Sequence, residues 1–157
     1  MKFTTRQDVE APLQAVYDWL TDYEQFERMV MRRGAEIERT DRLSAPGPGM
    51  GWRLRFAYRG KPRKLLVRLI GADPSGAMQF ELDSPSVAGE ARIELLALSP
   101  RRTRLTIQSE LRPKTLPARL FFQSLRLAKG RVQKKLDQSS GKLAGLIEQQ
   151  HRAPASR

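Results

Sequence analysis

Few side chains in this sequence are of the types that carry out acid–base, nucleophilic or metal chemistry. The chain has no cysteine and one histidine, His151, close to its C-terminus. The lack of cysteine excludes thiolate nucleophiles, disulfides and iron–sulfur clusters, and a single histidine argues against a histidine metal site or a Ser–His–Asp triad. The sequence therefore predicts no catalytic residue, no metal and no cofactor, and it favours a protein that is not an enzyme.

Two hydroxyl groups and a set of carboxylates remain to be weighed. Tyr58 alternates in phase with an apolar face, so its hydroxyl could orient a ligand carbonyl, or it could be a structural tyrosine with a satisfied hydroxyl. Ser109 has the same parity as Leu105 and Ile107, but no histidine is available to activate it. The carboxylates fall on the face opposite the apolar one: Glu81, Asp83, Glu94 and Glu110. This placement disfavours a buried acid–base pair.

These parities depend on strands that alternating apolar and polar residues predict. A period of two runs through residues 2–9, 52–58, 65–69, 78–83, 91–98 and 104–111, and a weaker strand is expected within 35–42. The close spacing and tight turns predict an antiparallel meander with one apolar face. We place Arg53, Arg55 and Arg59 on the other face. Residues 44–51, rich in glycine and proline, are predicted to form a loop.

Helical periodicity occurs on both sides of the strands. Pro12 suits the first turn of a helix, and the apolar stripe through residues 13–30 predicts two short helices. Residues 114–150 predict one long helix, in which Gly130, Gly141 and Gly145 allow a bend. The stripe expected to face the sheet consists of Phe121, Leu125, Ala128, Val132, Leu136, Leu143, Leu146 and Ile147.

The 157 residues therefore predict a single α+β domain over residues 1–150, followed by a flexible tail over 151–157. A curved antiparallel sheet is expected to wrap around the long C-terminal helix, with two short helices after the first strand. One helix cannot fill a broad concave sheet, so a ligand cavity is predicted between them. The candidate lining residues are Trp52, Phe56, Tyr58, Met78 and Phe80 from the sheet and Phe121, Leu125, Val132 and Leu136 from the helix. The alternative is that these side chains fill a packed core.

The net charge of +12 is concentrated towards the C-terminus, because residues 1–50 carry −2 and residues 112–157 carry +9. Such asymmetry suggests an anionic partner, either phospholipid headgroups or nucleic acid, although a solvated helix surface would have the same composition.

A second face of the C-terminal helix predicts docking on an anionic membrane. Leucines fall opposite the sheet-facing stripe and have basic neighbours, as in an interfacial helix: Leu116, Arg119, Leu120, Arg126, Leu127, Arg131 and Lys134. Alternatively, these leucines pack on the N-terminal helices or on a second copy of the chain. No apolar run is long enough for a secretory signal or a membrane span, so we expect a cytoplasmic protein, with the inner membrane face as a peripheral location.

The order of elements and two short segments resemble a known superfamily. Residues 9–17 are similar to an opening of the form apolar-x-Ala-Pro-x-x-x-Val-aromatic, here through Val9, Ala11, Pro12 and Val16. Residues 22–26 are similar to Asp-x-x-x-Trp/Phe, without the proline that usually follows. Together with the long basic C-terminal helix, these features resemble the helix-grip fold of the START-like (SRPBCC) superfamily over nearly the whole chain.

The resemblance implies a fold shared by polyketide cyclases, ligand carriers and lipid-transfer domains, in which a loop between strands often guards the cavity mouth. We expect a carrier of a hydrophobic small molecule or lipid. The alternatives are a polyketide cyclase or dehydratase that folds a flexible substrate, and a ribosome-associated or nucleic-acid-associated protein that uses the basic helix. The identity of the ligand and the oligomeric state stay open.

Overall fold

In residues 1–153, which the computed structural model describes, seven strands form one antiparallel sheet and four helices lie against it. The elements in chain order are β1 (Lys2–Val9), α1 (Leu13–Leu20), α2 (Tyr23–Arg32), β2 (Glu36–Arg39), β3 (Gly51–Tyr58), β4 (Lys61–Asp73), β5 (Ala77–Asp83), β6 (Val87–Ser99), β7 (Arg102–Pro113), α3 (Leu116–Leu127) and α4 (Lys129–Arg152). The predicted helix-grip fold of the α+β class is confirmed, with a curved sheet, two short helices after the first strand and a C-terminal helical segment.

The sheet order is β1-β7-β6-β5-β4-β3-β2, so the first strand pairs with the last and the other strands follow in sequence. Phe3 lies opposite Ser109 and Val9 opposite Thr103, which places the buried side chains of β1 on the same face as Leu105 of β7. Register shifts interrupt β4 between Leu69 and Gly71 and β6 between Ala97 and Ser99. Such irregularities bend a strand and increase its twist, which helps the sheet to curve.

Two apolar clusters lie on the concave face of this sheet. The first joins β1, β6 and β7 to α1 and α4, and its buried members include Val9, Val16, Leu105 and Ile147. The second, which we call the tryptophan cluster, consists of Tyr23, Met50, Trp52 and Leu69. The clusters share no residue, so the concave face is packed in two separate places.

The tryptophan cluster is fixed by α2. The ring of Trp52 lies 5.5 Å from that of Tyr23 and 6.1 Å from that of Phe26, and its Nε1 donates to Glu27 at 3.0 Å. Burial raises the pKa of the Tyr23 hydroxyl, because a low-dielectric environment disfavours the phenolate. One end of β3 is therefore closed by packed aromatic rings.

The C-terminal helix differs from the prediction of one continuous helix. It breaks at Ala128, whose φ of −106° and ψ of 21° are not helical. Before the break α3 packs against β7, and after it α4 packs against β1 and α1, so the two segments follow different parts of the sheet. The buried residues of α3 are Ala118 and Phe122, while Phe121 is half-buried. Helix α4 continues to Arg152, past the predicted end at 150, and residues 154–157 of the predicted tail lie outside the described range.

Helix α4 is seated on β1 by a group of polar side chains. Thr5 Oγ1 donates to Asp137 Oδ1 at 2.8 Å and lies 2.7 Å from Ser140 Oγ. Gln7 Nε2 donates to Ser140 Oγ at 3.2 Å, and Gln133 Nε2 donates to the carbonyl of Thr4 at 2.8 Å. These directional contacts hold α4 along β1, at one side of the sheet. None of the helices in residues 1–153 combines the length and the apolar character that a bilayer-spanning segment requires.

Candidate functional site

The concave face of β3, β4 and β5 is tightly packed at one end only. Trp52, Leu69 and Met78 each have at most 1% of their surface exposed. Towards the β3–β4 turn, the side chains on the same face are only half-buried, and we call the surface they form the groove: Leu54, Phe56, Leu65, Val67, Phe80 and Leu82. A filled core would bury these apolar side chains completely, so the groove is a half-covered apolar surface.

The positions of the helices explain why the groove is not filled. Helix α4 packs along β1, α3 packs against β7, and α1 packs against β6 and β7. Helix α2 lies at the tryptophan cluster, where it also packs against β2. The ends of β3, β4 and β5 that form the groove, towards the β3–β4 turn, lie beyond these contacts.

The predicted lining residues fall into two sets. Phe56 and Phe80 are half-buried in the groove, and Tyr58 is 48% exposed at its outer end. Their predicted partners on the helices are half-buried as well: Phe121, Leu125, Val132 and Leu136. Phe121 lies beside Arg59, whereas α4, which carries Val132 and Leu136, packs along β1 on the other side of the sheet. Trp52 and Met78 instead lie within packed apolar side chains and offer no accessible surface to a ligand, because their burial is nearly complete. They form the packed end of the concave face, next to the groove.

The β3–β4 turn reaches across to α3. Arg59 and Gly60 have φ values of 52° and 73°, as a two-residue hairpin turn with both central residues left-handed requires. The Arg59 guanidinium lies 5.4 Å from the ring centre of Tyr58 and 5.2 Å from that of Phe121, within the range of cation–π contacts. The prediction that Arg59 shares a face with Arg53 and Arg55 is therefore wrong, because the turn ends the alternation of β3 before that residue.

Sequence reasoning missed Arg63, which lies on the concave face. It has the same parity in β4 as Leu65 and Val67, and its Cα partner in β3 is Phe56. Its Nε atom is buried and has no hydrogen-bond partner. Extending the alternation of β4 back from Leu65 by two residues would have found it.

The carboxylates weighed for catalysis lie on the convex face, as predicted. Glu81 pairs with Arg68 at 2.8 Å, Asp83 with Lys114 at 2.9 Å and Glu94 with Arg92 at 2.6 Å. Glu110 lies opposite Glu90 in the same register. Ser109 is half-buried opposite Phe3 and Ala91. Within residues 1–153, no cluster of three His, Cys, Asp or Glu side chains is placed to hold a metal ion.

The glycine- and proline-rich loop before β3 is tied to the sheet at both ends. Asp41 accepts from Arg39 at 2.6 Å, from the Leu43 amide at 3.0 Å and from the Gly51 amide at 2.9 Å. The Arg39 guanidinium, with these amides, holds the pKa of the Asp41 carboxyl well below its usual range. Met50 is buried, and its carbonyl accepts from the Leu69 amide at 2.9 Å. The loop thus joins the tryptophan-cluster end of β3, opposite the Arg59 turn.

The outer face of α3 is exposed, as the predicted docking surface requires. Leu116, Leu120 and Leu127 have 69%, 57% and 93% of their surface exposed, so they do not pack on α1 or α2. The basic side chains of the docking surface are also exposed, and none forms an ion pair within residues 1–153: Arg119, Arg126, Arg131 and Lys134. An open depression of about 410 Å³ lies at the helix junction beside Leu127 and Arg131.

A family model described as "Polyketide cyclase / dehydrase and lipid transport" matches residues 1–148. No curated protein matches the sequence. Among solved structures, the Zhui aromatase/cyclase from Streptomyces sp. R1128 is similar at 16% identity over 100% of this chain and 99% of that one, with a TM-score of 0.71. The protein TTHA0849 from Thermus thermophilus is similar at 17% identity over 94% and 97%, with a TM-score of 0.68. A START superfamily protein from Mycobacterium smegmatis is similar at 14% identity over 87% and 97%, with a TM-score of 0.56. At these identities the likeness is one of fold.

Proposed function

The chain belongs to the polyketide cyclase/dehydrase and lipid transport family, and on that premise we propose that it carries a hydrophobic small molecule or lipid in the groove. The observation that supports this most strongly is the contrast along β3 and β4. The same strands that bury Trp52 and Leu69 completely leave Phe56 and Leu65 half-buried. A concave apolar surface beside a few polar groups is what a small-molecule site offers.

The expected driving force is burial of apolar surface. Each methylene group that a ligand transfers from water to the groove contributes about 0.8 kcal/mol, so a chain of about eight to ten carbons is enough for useful affinity after the entropy of binding is subtracted. The proposed lining consists of Phe56, Tyr58, Phe80, Phe121, Leu125, Val132 and Leu136, with Trp52 and Met78 closing the packed end of the same face. The Tyr58 side chain is exposed to solvent, and its hydroxyl can orient a polar group of the ligand.

Two measurements test the carrier function. Native mass spectrometry of the purified protein, or analysis of its organic extract, should reveal a co-purified hydrophobic molecule. An apolar fluorescent probe should bind to the wild type, and Phe56→Glu should abolish its uptake, because a carboxylate in the groove must be desolvated when the probe enters.

A matched control separates the groove from a general loss of structure. Leu66 lies on β4 and is 42% exposed on the convex face, opposite Arg53. Leu66→Glu adds the same charge there and should leave probe uptake unchanged, while circular dichroism shows that both variants fold. A wild type that binds no probe and carries no extractable molecule would refute the carrier function.

We also propose that the outer face of α3 docks this carrier on anionic membranes, from the cytoplasmic side. Three exposed leucines among four exposed basic residues match an interfacial helix, in which apolar side chains enter the headgroup region and cations meet the phosphates. The face lacks aromatic side chains between its basic residues, which sequence-tolerant nucleic-acid binding uses for stacking. The position of α3 beside the Arg59 turn would bring the groove close to the membrane that supplies or receives the ligand.

A further inference from the structure

Arg63 is a cation within an otherwise apolar surface. Its neighbours on the concave face are Phe56, opposite it in β3, and Leu65, two residues further along its own strand. Its side chain is half-buried, and its Nε atom is buried. The residue is thus placed with its aliphatic stem and its guanidinium against the groove, at the end nearest the β3–β4 turn.

The Nε–H group of Arg63 has no acceptor. It is the only buried side-chain nitrogen or oxygen without a hydrogen-bond partner among residues 1–153. A guanidinium stays protonated at any physiological pH, and a buried donor that is left without an acceptor is costly. The fold keeps this donor desolvated, which is explained if an acceptor arrives from outside the chain.

No carboxylate of the described residues pairs with Arg63. Neither Arg63 nor Arg59 forms an ion pair within residues 1–153. The turn end of the groove therefore carries two guanidinium groups that no acid of its own neutralises.

We propose that the groove takes an amphipathic anion, whose apolar body lies on Phe56 and its neighbours and whose oxyanion headgroup binds Arg63. A carboxylate or phosphate can accept side by side from the Nε–H and one Nη–H of a guanidinium, a paired geometry that lysine lacks. Arg59 at the turn adds attraction for the same headgroup as it enters. This inference rests on the proposed carrier function and specifies the chemical class of its ligand.

Calorimetric titration with three ligands of equal chain length tests the headgroup. Decanoate, decyl phosphate and decanol share one apolar body, and each is used below the concentration at which it forms micelles or separates from water. Wild-type protein should bind at least one of the anions about 10- to 100-fold more tightly than decanol, as charge-assisted hydrogen bonds predict. A preference for decanoate would identify a carboxylate ligand, and a preference for decyl phosphate a phosphate monoester.

Two variants locate the effect. Arg63→Gln should reduce the preference for the anion to about twofold or less while leaving the affinity for decanol unchanged. Arg55→Gln removes the same charge from the convex face of the adjoining strand, where Arg55 is exposed opposite Lys64, and should keep the preference. If Arg63→Gln does not fold, the Nε–H resonance of Arg63 in the wild type is read instead, and it should shift with the preferred anion but not with decanol.

The outcomes distinguish the role of Arg63 from the carrier function on which it rests. Equal affinity of the wild type for decanol and both anions, an unchanged Nε–H resonance, or an anion preference that survives in Arg63→Gln would overturn the role of Arg63 and leave the carrier function standing. Failure of all three ligands to bind would overturn both.

Discussion

Leu69 and Phe56 lie on neighbouring strands and on the same face of the sheet, yet only Leu69 is fully buried. The difference predicts losses of stability of different size when each side chain is truncated to alanine. Leu69→Ala should lower the free energy of unfolding by about 2–5 kcal/mol, because it leaves a cavity in the tryptophan cluster. Phe56→Ala removes the larger side chain but should cost less than Leu69→Ala, since the Phe56 side chain is only half-buried and part of its ring is exposed to water. Urea unfolding of both variants measures the comparison.

A larger loss for Phe56→Ala than for Leu69→Ala would show that Phe56 belongs to a packed core rather than to a ligand surface. The two variants also differ in their response to a ligand. A groove ligand should raise the melting temperature of Leu69→Ala, as it does that of the wild type, and raise that of Phe56→Ala less.

Single residues also mark the limit of what periodicity predicts. The alternation of β3 gave the correct face for Phe56 and Tyr58, because a side-chain period of two holds within any strand. It gave the wrong surroundings for Arg59, since a left-handed turn residue follows no strand parity. Trp52 and Met78 have the same strand parity as the groove residues, yet both are buried. Their burial depends on tertiary packing against other elements, which the alternation within one strand does not predict.

At the scale of the elements, the segment between β2 and β3 depends on Asp41. Its carboxylate joins Arg39 in β2 to the amide that opens β3 at Gly51. Asp41→Asn should lower the melting temperature by a few degrees at neutral pH, because the charge-assisted bonds to Arg39 and the amides weaken.

The same contact predicts a pH dependence. The pKa of Asp41 is lower in the folded state than the ordinary value of 3.8, so its contribution to stability is fully present above that value and is lost as the pH falls below it towards the lowered pKa. The stability difference between wild type and Asp41→Asn should therefore be constant at neutral pH and shrink in acid. Chemical unfolding at several pH values measures it, and a difference that grew on acidification would contradict the role of Asp41.

The elements themselves were largely predictable, and the C-terminal helix shows where prediction ends. Seven strands and two short helices follow from period and turn residues within the sequence. The glycines at 130, 141 and 145 indicated only that the helix could bend, and not where. The break occurs at Ala128, between α3, which packs on β7, and α4, which packs on β1. Its position therefore depends on the arrangement of the sheet strands, which the helix sequence alone does not contain.

At the scale of the whole molecule, the charge gradient and the exposed face of α3 predict binding to vesicles. Each basic residue near an anionic surface contributes about 1 kcal/mol, so the docking surface should give reversible binding to phosphatidylglycerol vesicles that weakens as salt is added. Leu120→Glu and Arg126→Glu should each reduce co-sedimentation, and Leu66→Glu on the sheet should not. Equal binding to neutral vesicles, or none to either, would contradict membrane docking and leave a second copy of the chain or a nucleic acid as the partner of this face.

The break at Ala128 also means that α3 is joined to the body of the domain through one non-helical residue at its C-terminal end. One side of α3 carries Phe121 to the Arg59 turn, and the other carries Leu120 outward. A surface that held Leu120 in a shifted position would also displace Phe121, which belongs to the proposed lining of the groove. Thermodynamic linkage then makes the two events reciprocal, because any factor by which a membrane changes ligand affinity must equal the factor by which the ligand changes membrane affinity. A loaded carrier and an empty one would thus differ in their equilibrium affinity for the bilayer.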